Sequence, residues 1–460
     1  MAKLSAVVLA AGMGTRMKSA LVKVMHPLAG APMIAWPVAA AFEAGVGSAV
    51  LVVGHQQEKV RDYFAQGEKE VSFAVQAEQL GTGHAVRCAM PHLSAGTDTV
   101  LILCGDTPLL TAATLGAMVK VHQASGATLT VMTARFAEPF GYGRVLKGDD
   151  GSVTAIVEEK DASDEERRIQ EVNAGVYCVD RAFLAEAVEK LDANNAQGEY
   201  YLTDVIKQAA GQGRKCLSYT VADPAEISGV NDRVQLAESA RILRGRINRE
   251  LMVSGVTMID PAAVYIDRGV RVGRDTVIHP GVTITGKTVI GEGCEIGQGA
   301  VISSSSIGDG SVIKAGSVIE EGLLHEEVQI GPMAHLRPGC ELMAKVKIGN
   351  FVETKKIVMG KGSKASHLTY LGDATIGAGV NIGCGTITCN YDGVKKHHTT
   401  IEDDVFVGSD VQLVAPVKVG RNSLIAAGTT VTVDVPPDSL AISRTPQVNK
   451  EGWKLKKGKG

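Results

Sequence analysis

From about Ile266 an aliphatic residue returns every six positions along the chain. Val272, Ile278, Ile284, Ile290, Ile296 and Ile302 form the first run, and after one five-residue step Ile307, Ile313 and Ile319 resume it. Ile330, Leu336, Leu342 and Ile348 keep the phase, then Ile376 and Ile382, and finally Ile401, Val407, Leu413, Val419, Ile425 and Val431. Many are followed directly by glycine, as in Val272-Gly273 and Ile290-Gly291. A helix cannot sustain a six-residue apolar period, and a half-buried strand alternates every two. The hexad repeat predicts a left-handed parallel β-helix, in which each aliphatic points into a triangular prism and the small residue beside it takes the corner. Three hexads make one coil, and coils stack about 4.8 Å apart, the spacing of paired strands.

The first half has a different period. Up to about residue 230, the apolar runs SAVVLA, SAVLVVGH, DTVLILCGD, ATLTVMTARF and VNAGVYCVD alternate with helix-like stretches such as MIAWPVAAAFEAG and TAATLGAMVKVHQAS. That order predicts an α/β domain on a mostly parallel sheet, with ligands at the carboxyl ends of its strands. NDRVQLAESARILRGRINRELMVSG then reads as a connecting helix. The expected organisation is a first domain over 1–233, a linker helix over 234–254, and a β-helix domain over 255–460 ending in a solvated, lysine-rich tail. A chain of 460 residues exceeds one core. Its 53 glycines and only 4% aromatics fit a small-residue repeat.

A net charge of −3 argues against a nucleic-acid protein. The eight cysteines include no CxxC pair and suggest reduced thiols in the cytoplasm. The apolar opening is too short for a signal peptide, and no run reaches the length of a membrane span.

Chemistry enters at LAAGMGTRM, Leu9 to Met17, directly after the first strand. It lacks the third glycine of a dinucleotide fingerprint and the G-K-[ST] ending of a P-loop. What it offers is a glycine turn with Arg16 and, seven residues on, Lys23, two cations suited to a polyphosphate whose charge grows as a bond breaks. QAEQLGTGHA adds glutamines, whose amides can read both donor and acceptor edges of a base. LCGDTPL ends a strand on Asp106, a carboxylate suited to Mg²⁺ beside phosphates. GYGRV, IVEEKDA and EVNAGVY follow in order.

In the second half, NFVETKKIVMGKGSKASHLTYLGDA and TCNYDGVKKHHTT carry cations, histidines and tyrosines where the hexads are expected to break. Insertions in a solenoid usually map to one face, and basic ones suit a sugar phosphate. His367 is the candidate general base, because an amine attacking a thioester must lose a proton near neutral pH. His397 and His398 read as exposed loop residues.

With QAEQLGTGHA, NNAQGEYYLTD and SHLTYLGDA in place, the first half resembles the sugar-nucleotide pyrophosphorylases and the second the β-helix acyltransferases. Together they resemble the bacterial bifunctional N-acetylglucosamine-1-phosphate uridylyltransferase/glucosamine-1-phosphate N-acetyltransferases over nearly the whole chain. The resemblance implies that Leu9, Ala10, Ala11, Gly12, Lys23, Gln76, Gly81 and Thr82 bind UTP, with Arg16 and Lys23 stabilising the departing pyrophosphate. It gives Mg²⁺ to Asp106 and Asn231, and the N-acetyl sugar phosphate to Gly143, Glu158, Asn173 and Asn231. In the second site it assigns the sugar phosphate to Arg337, Lys355, Tyr370, Asn381 and Lys396. Acetyl-CoA goes to Cys384, Asn390, Tyr391, Ser409, Ala427 and Arg444, beside His367 as base. It further implies a cytoplasmic homotrimer, with no nucleic-acid or membrane partner.

Two positions depart from the family pattern. Val22 stands where proline is usual, which is expected to loosen the Lys23 loop. Cys384 stands where alanine is usual; it reads as a small residue contacting CoA through its backbone rather than as an acetyl carrier. Two rival readings are a nucleotidyltransferase acting on another sugar phosphate and a β-helix that serves only as a scaffold.

Overall fold

The computed structural model describes residues 3–65, 67 and 69–453. The chain divides into two compact units, Met1–Leu243 and Arg244–Gly460. The tail expected to be solvated lies, from residue 454 onward, outside the described residues.

The first unit is built on β1 (Leu4–Leu9), β2 (Ser48–Val53), β3 (Val71–Val75), β4 (Thr99–Cys104), β5 (Leu129–Arg135), β6 (Arg144–Lys147), β7 (Val153–Val157), β8 (Glu171–Asp180) and β9 (Cys216–Thr220). The main sheet runs β9-β5-β8-β4-β1-β2-β3, with the β6–β7 hairpin attached to β8. All pairs on the main path are parallel except those of β8, which is antiparallel to both neighbours. The two expected helices form as α1 (Ala35–Glu43) and α2 (Ala112–Ser125). Strands β3, β6, β7 and β9 lie outside the expected runs.

Successive side chains of β1 serve opposite cores. Ala6 and Val8 pack with α1 and α2, while Val7 packs with Val86, Phe183 and Ile206 on the other face. Burial on both sides explains why the central strands read as continuous apolar runs. From β1 the chain builds outward through β2 and β3, then returns to place β4 on the other side of β1. Strand order therefore reverses between β1 and β4, where a crevice opens at the carboxyl ends of an α/β sheet.

The second unit is a parallel β-helix. On one face Thr257, Val277, Glu295, Val312, Gln329, Lys347, Lys364 and Asn381 pair in succession, each 17 to 20 residues after the last. The hexad aliphatics from Ile278 to Val431 are buried, and Val272 packs partly buried at the first coil. The corners demand small residues: a Cβ on Gly383 would lie 2.4 Å from the Gly408 carbonyl carbon in the next coil.

One expectation needs correcting. The repeat does not break over residues 350–374. Thr354, Met359, Ala365 and Leu371 take the inward positions there, each fully buried. The prism accepts a methyl, a hydroxyl or a thioether where earlier coils place isoleucine, so a pattern restricted to aliphatics loses the phase. The real interruption is the loop between Thr388 and Thr399, and it lengthens the step from Asn381 to Phe406 to 25 residues. Helix α3 (Arg233–Val253) contributes to both units: Leu236, Ala240 and Leu243 pack with Leu28 and Leu109, and Ile247 and Leu251 with the β-helix core. Among the described residues no helix is long and apolar enough to cross a membrane.

Candidate active sites

The crevice at the β1–β4 switch holds about 300 Å³. Leu9, Ala10, Ala11, Gly12, Lys23, Gln76, Gly81, Thr82 and Asp106 all line it, and Gln79, Cys104 and Glu199 join them. Backbone bonds pin its floor: Ala10 N donates to Val52 O at 2.9 Å, and Gly105 N to Leu9 O at 2.9 Å. Gln76 follows β3, its N–H bound to Val53 O at 2.8 Å.

Two cations, one carboxylate and one amide converge at the mouth. Lys23 Nζ lies 2.5 Å from Asp106 Oδ2 and donates to Asn231 Oδ1 at 3.3 Å. Arg16 Nη2 donates to the same Asn231 oxygen at 3.0 Å. Gly14 makes the approach possible: its φ is +61°, and a Cβ there would meet Lys23 Cβ at 2.5 Å. The fourth of these groups, Asn231, comes from a residue more than two hundred positions downstream.

Val22 already holds the backbone that proline would impose. Its φ of −59° and ψ of 140° already lie in the region that proline imposes. Its N–H finds no acceptor among the described residues. Val22→Pro is therefore expected to raise stability by about 0.4–1 kcal/mol through the unfolded state, seen as a small increase in Tm. A decrease would show that the backbone must relax away from this geometry.

Gly143, Glu158 and Asn173 gather on the β6–β7–β8 side. Asn173 N donates to Gly143 O at 2.9 Å, and a Cβ on Gly143 would lie 3.4 Å from Glu158 Oε2. Burial pushes the Glu158 carboxyl above its ordinary value, against a hydrogen bond donated by Thr203 at 3.3 Å. The Asn173 side chain is engaged within the protein: Nδ2 donates to Tyr177 Oη at 2.8 Å, and Oδ1 accepts from Gly175 N at 2.9 Å.

On the β-helix, His367 stands exposed with its Nδ1 2.9 Å from Asn350 Oδ1, the residue it pairs with in the preceding coil. Lys355 and Lys396 reach each other at the next corner, with Arg337 and Tyr370 close enough to act on their charge. Two adjacent ammonium groups resist being charged together. The Lys355 pKa is lowered by its contact with Lys396, while that of Lys396 is raised by the same contact, so the pair holds its protons unequally. Tyr370 and Asn390 crowd over Gly372. Asn390 is buried and donates to Asp373 Oδ2 at 2.5 Å, whereas the Tyr391 ring is exposed.

Four of the residues assigned to acetyl-CoA, Cys384, Ser409, Ala427 and Arg444, follow one another on successive coils. Asp410 N donates to Cys384 O at 2.7 Å, Gly428 N to Ser409 O at 2.9 Å, and Arg444 Nη1 to Ala427 O at 2.9 Å. Asn381 belongs to a separate ladder, between Lys364 and Phe406. His398 is exposed as expected. His397 is half-buried and bridges Asp392 at 2.7 Å, and this bond leads the interactions that hold the Asp392 carboxyl well below the usual range. All eight cysteines are free thiols.

A nucleotidyl transferase family model matches residues 5–224, and a bacterial transferase hexapeptide model of six repeats matches 269–304, 287–321 and 398–432. The bifunctional protein GlmU of Geotalea uraniireducens is 66% identical over 457 residues, covering 99% of this chain and all of that protein. The chain belongs to the bifunctional GlmU family. GlmU of Geobacter metallireducens is 65% identical over 99% of both chains, and that of Heliobacterium modesticaldum is 51% identical over the full length of both.

The structure adds contributors that the sequence reading did not assign individually. Gln79 donates to Ala11 O at 2.5 Å, and Glu199 approaches Gly81. Gln79 sits in a motif already singled out, so its neighbour Gln76 was signal enough. Asn350 and His84 also lie in stretches already singled out, but their roles depend on side-chain contacts that only the fold brings within reach.

Proposed function

We propose that the chain makes UDP-N-acetylglucosamine in two steps, the β-helix unit acetylating glucosamine-1-phosphate and the α/β unit coupling the product to UTP. Full-length similarity to GlmU proteins carries this reading. The proposed domains are 1–233 for uridylyl transfer, 234–254 as linker helix and 255–460 for acetyl transfer.

In the first site the sugar's phosphate oxygen attacks the α-phosphorus of UTP in line, and pyrophosphate leaves. Such a reaction needs positioning and charge neutralisation more than covalent help. The Leu9–Gly12 backbone and the Gln76–Thr82 turn hold the nucleotide, while Arg16 and Lys23 meet the charge gathering on the leaving group. Gly143, Glu158, Asn173 and Asn231 bind the acceptor.

Asp106 and Asn231 suit Mg²⁺. Their oxygens already converge on one cationic atom, Lys23 Nζ. Two protein oxygens completed by substrate phosphates and water is the usual manner of binding this ion. The metal would supply further neutralisation of phosphate charge; Lys23 then turns its ammonium to the substrate.

In the second site Arg337, Lys355, Tyr370 and Lys396 hold the sugar phosphate, whose arrival relieves the repulsion between the two lysines. Asn350 Oδ1 accepts the proton on His367 Nδ1, which leaves Nε2 free to take a proton from the attacking amine. Asn390 and Tyr391 line the reacting centre, and Cys384, Ser409, Ala427 and Arg444 form the track for CoA. Asn381, on its separate ladder, belongs to the sugar-phosphate set if copies share a site, as in a homotrimer. A reduced, cytoplasmic setting suits both co-substrates.

The test is one incubation of the protein with glucosamine-1-phosphate, acetyl-CoA, UTP and Mg²⁺, read by mass spectrometry. UDP-N-acetylglucosamine is expected, and chelating the metal should stop the reaction at N-acetylglucosamine-1-phosphate. Absence of both products overturns the proposal.

A further inference from the structure

The side-chain amide of Gln76 is held by two contacts at its nitrogen, and the consequence falls on the nucleotide base. Gln76 is 4% exposed. Its Nε2 lies 3.0 Å from Gly81 O, and a carbonyl can only accept, so this atom is the NH₂ end of the amide. The same Nε2 lies 3.2 Å from His84 Nδ1. With Gln76 donating, His84 Nδ1 must be the unprotonated ring nitrogen. The ring proton then sits on Nε2, which is 3.7 Å from Cys88 Sγ, a weak acceptor. In this chain His84 donates to Cys88, and Gln76 donates to both His84 and Gly81.

Both amide protons of Gln76 are thereby spent inside the protein. The hydrogen bonds of its side chain to described residues are both made by Nε2, and Gln76 lines the cleft. Toward a nucleotide, Gln76 offers one acceptor and no donor. Left alone, a glutamine amide could turn over and offer either end. The Gly81 carbonyl and His84 together oppose that turn, and His84 itself lies near the Tyr200 ring, 6.3 Å between centroids.

We infer that His84 is a positioning residue for base selection: by holding the Gln76 amide in one orientation, it makes the α/β unit accept a pyrimidine with a donor at N3 and reject one with an acceptor there. Uracil carries N3–H and is accepted. Cytosine carries a lone pair at N3, which would face the Gln76 carbonyl oxygen with no proton between them. An unpaired polar contact in a water-excluded site is the kind that discriminates strongly. The inference rests on the reading of this cleft as the UTP site.

Three proteins test it: the wild type, His84→Phe, which keeps a ring against Tyr200 but has no acceptor, and His84→Gln, which restores one. For each, kcat/KM is measured with UTP and with CTP at saturating N-acetylglucosamine-1-phosphate. Acetyl transfer by the β-helix unit of the same sample reports the amount of intact protein. The wild type should prefer UTP. In His84→Phe the UTP/CTP ratio should fall by about tenfold or more, chiefly because CTP improves, and His84→Gln should recover much of it. A role in folding alone would lower both nucleotides together and leave the ratio unchanged, which overturns the inference while the UTP reading stands. A wild type that does not use UTP overturns both.

Discussion

Lys23→Ala should cut uridylyl transfer by about 10²–10³-fold, the range for removing one preorganised charge donor from a transition state. Acetyl transfer by the same molecules should be unchanged. The geometry behind the first expectation is the contact of Lys23 Nζ with both Asp106 and Asn231. Removing the ammonium takes away a charge for the departing pyrophosphate. It also leaves the Asp106 carboxylate, 24% exposed, facing an incoming polyphosphate without its cation. The loss should therefore appear in kcat and in the KM for UTP together, and extra Mg²⁺ should recover part of the KM effect but not of kcat. Lys23→Arg should not restore the rate, because a planar guanidinium does not replace the compact point charge that sits between Asp106 and Asn231. Product assays with each substrate pair decide this. Near-wild-type UTP turnover in Lys23→Ala would remove Lys23 from the mechanism.

How far such a site can be read without coordinates depends on what carries each part of it. The turn after β1 and the strand ending before Asp106 were visible because parallel strands write apolar runs and phosphate sites collect at their carboxyl ends. The hexads were visible because the prism has one inward position in six, and most coils fill it with isoleucine. Where Thr354, Met359 and Ala365 fill it instead, the phase was lost and a regular stretch was read as an interruption. The same bias hid β3, whose side chains are mostly half-buried at the sheet edge, and the antiparallel sense of β8, which depends on its neighbours rather than on its own residues. Val22 is the opposite case. Proline's absence suggests a loose loop, yet the valine takes the same φ without it. Relations between side chains, such as Gln76 with His84 or His367 with Asn350, leave no trace in a sequence because neither partner is unusual where it stands.

That last pair gives the second large effect. His367→Ala should lower acetyl transfer by about 10²–10⁴-fold, the usual contribution of a positioned general base, and leave uridylyl transfer of supplied N-acetylglucosamine-1-phosphate intact. Loss of the base alone does not show how it is aimed, and Asn350 does. Its Oδ1, 2.9 Å from Nδ1, fixes the tautomer that keeps Nε2 available. Asn350→Ala should therefore cost less than His367→Ala, since the ring keeps its chemistry but spends part of its time in the wrong tautomer. Asn350→Asp should retain the acceptor and place a negative charge beside the ring. A neighbouring carboxylate favours imidazolium, so the rise of kcat/KM with pH should move to higher pH. A role confined to packing predicts similar losses for both substitutions and no displacement of the profile. An unshifted profile in Asn350→Asp would mean that something other than this hydrogen bond orients the base.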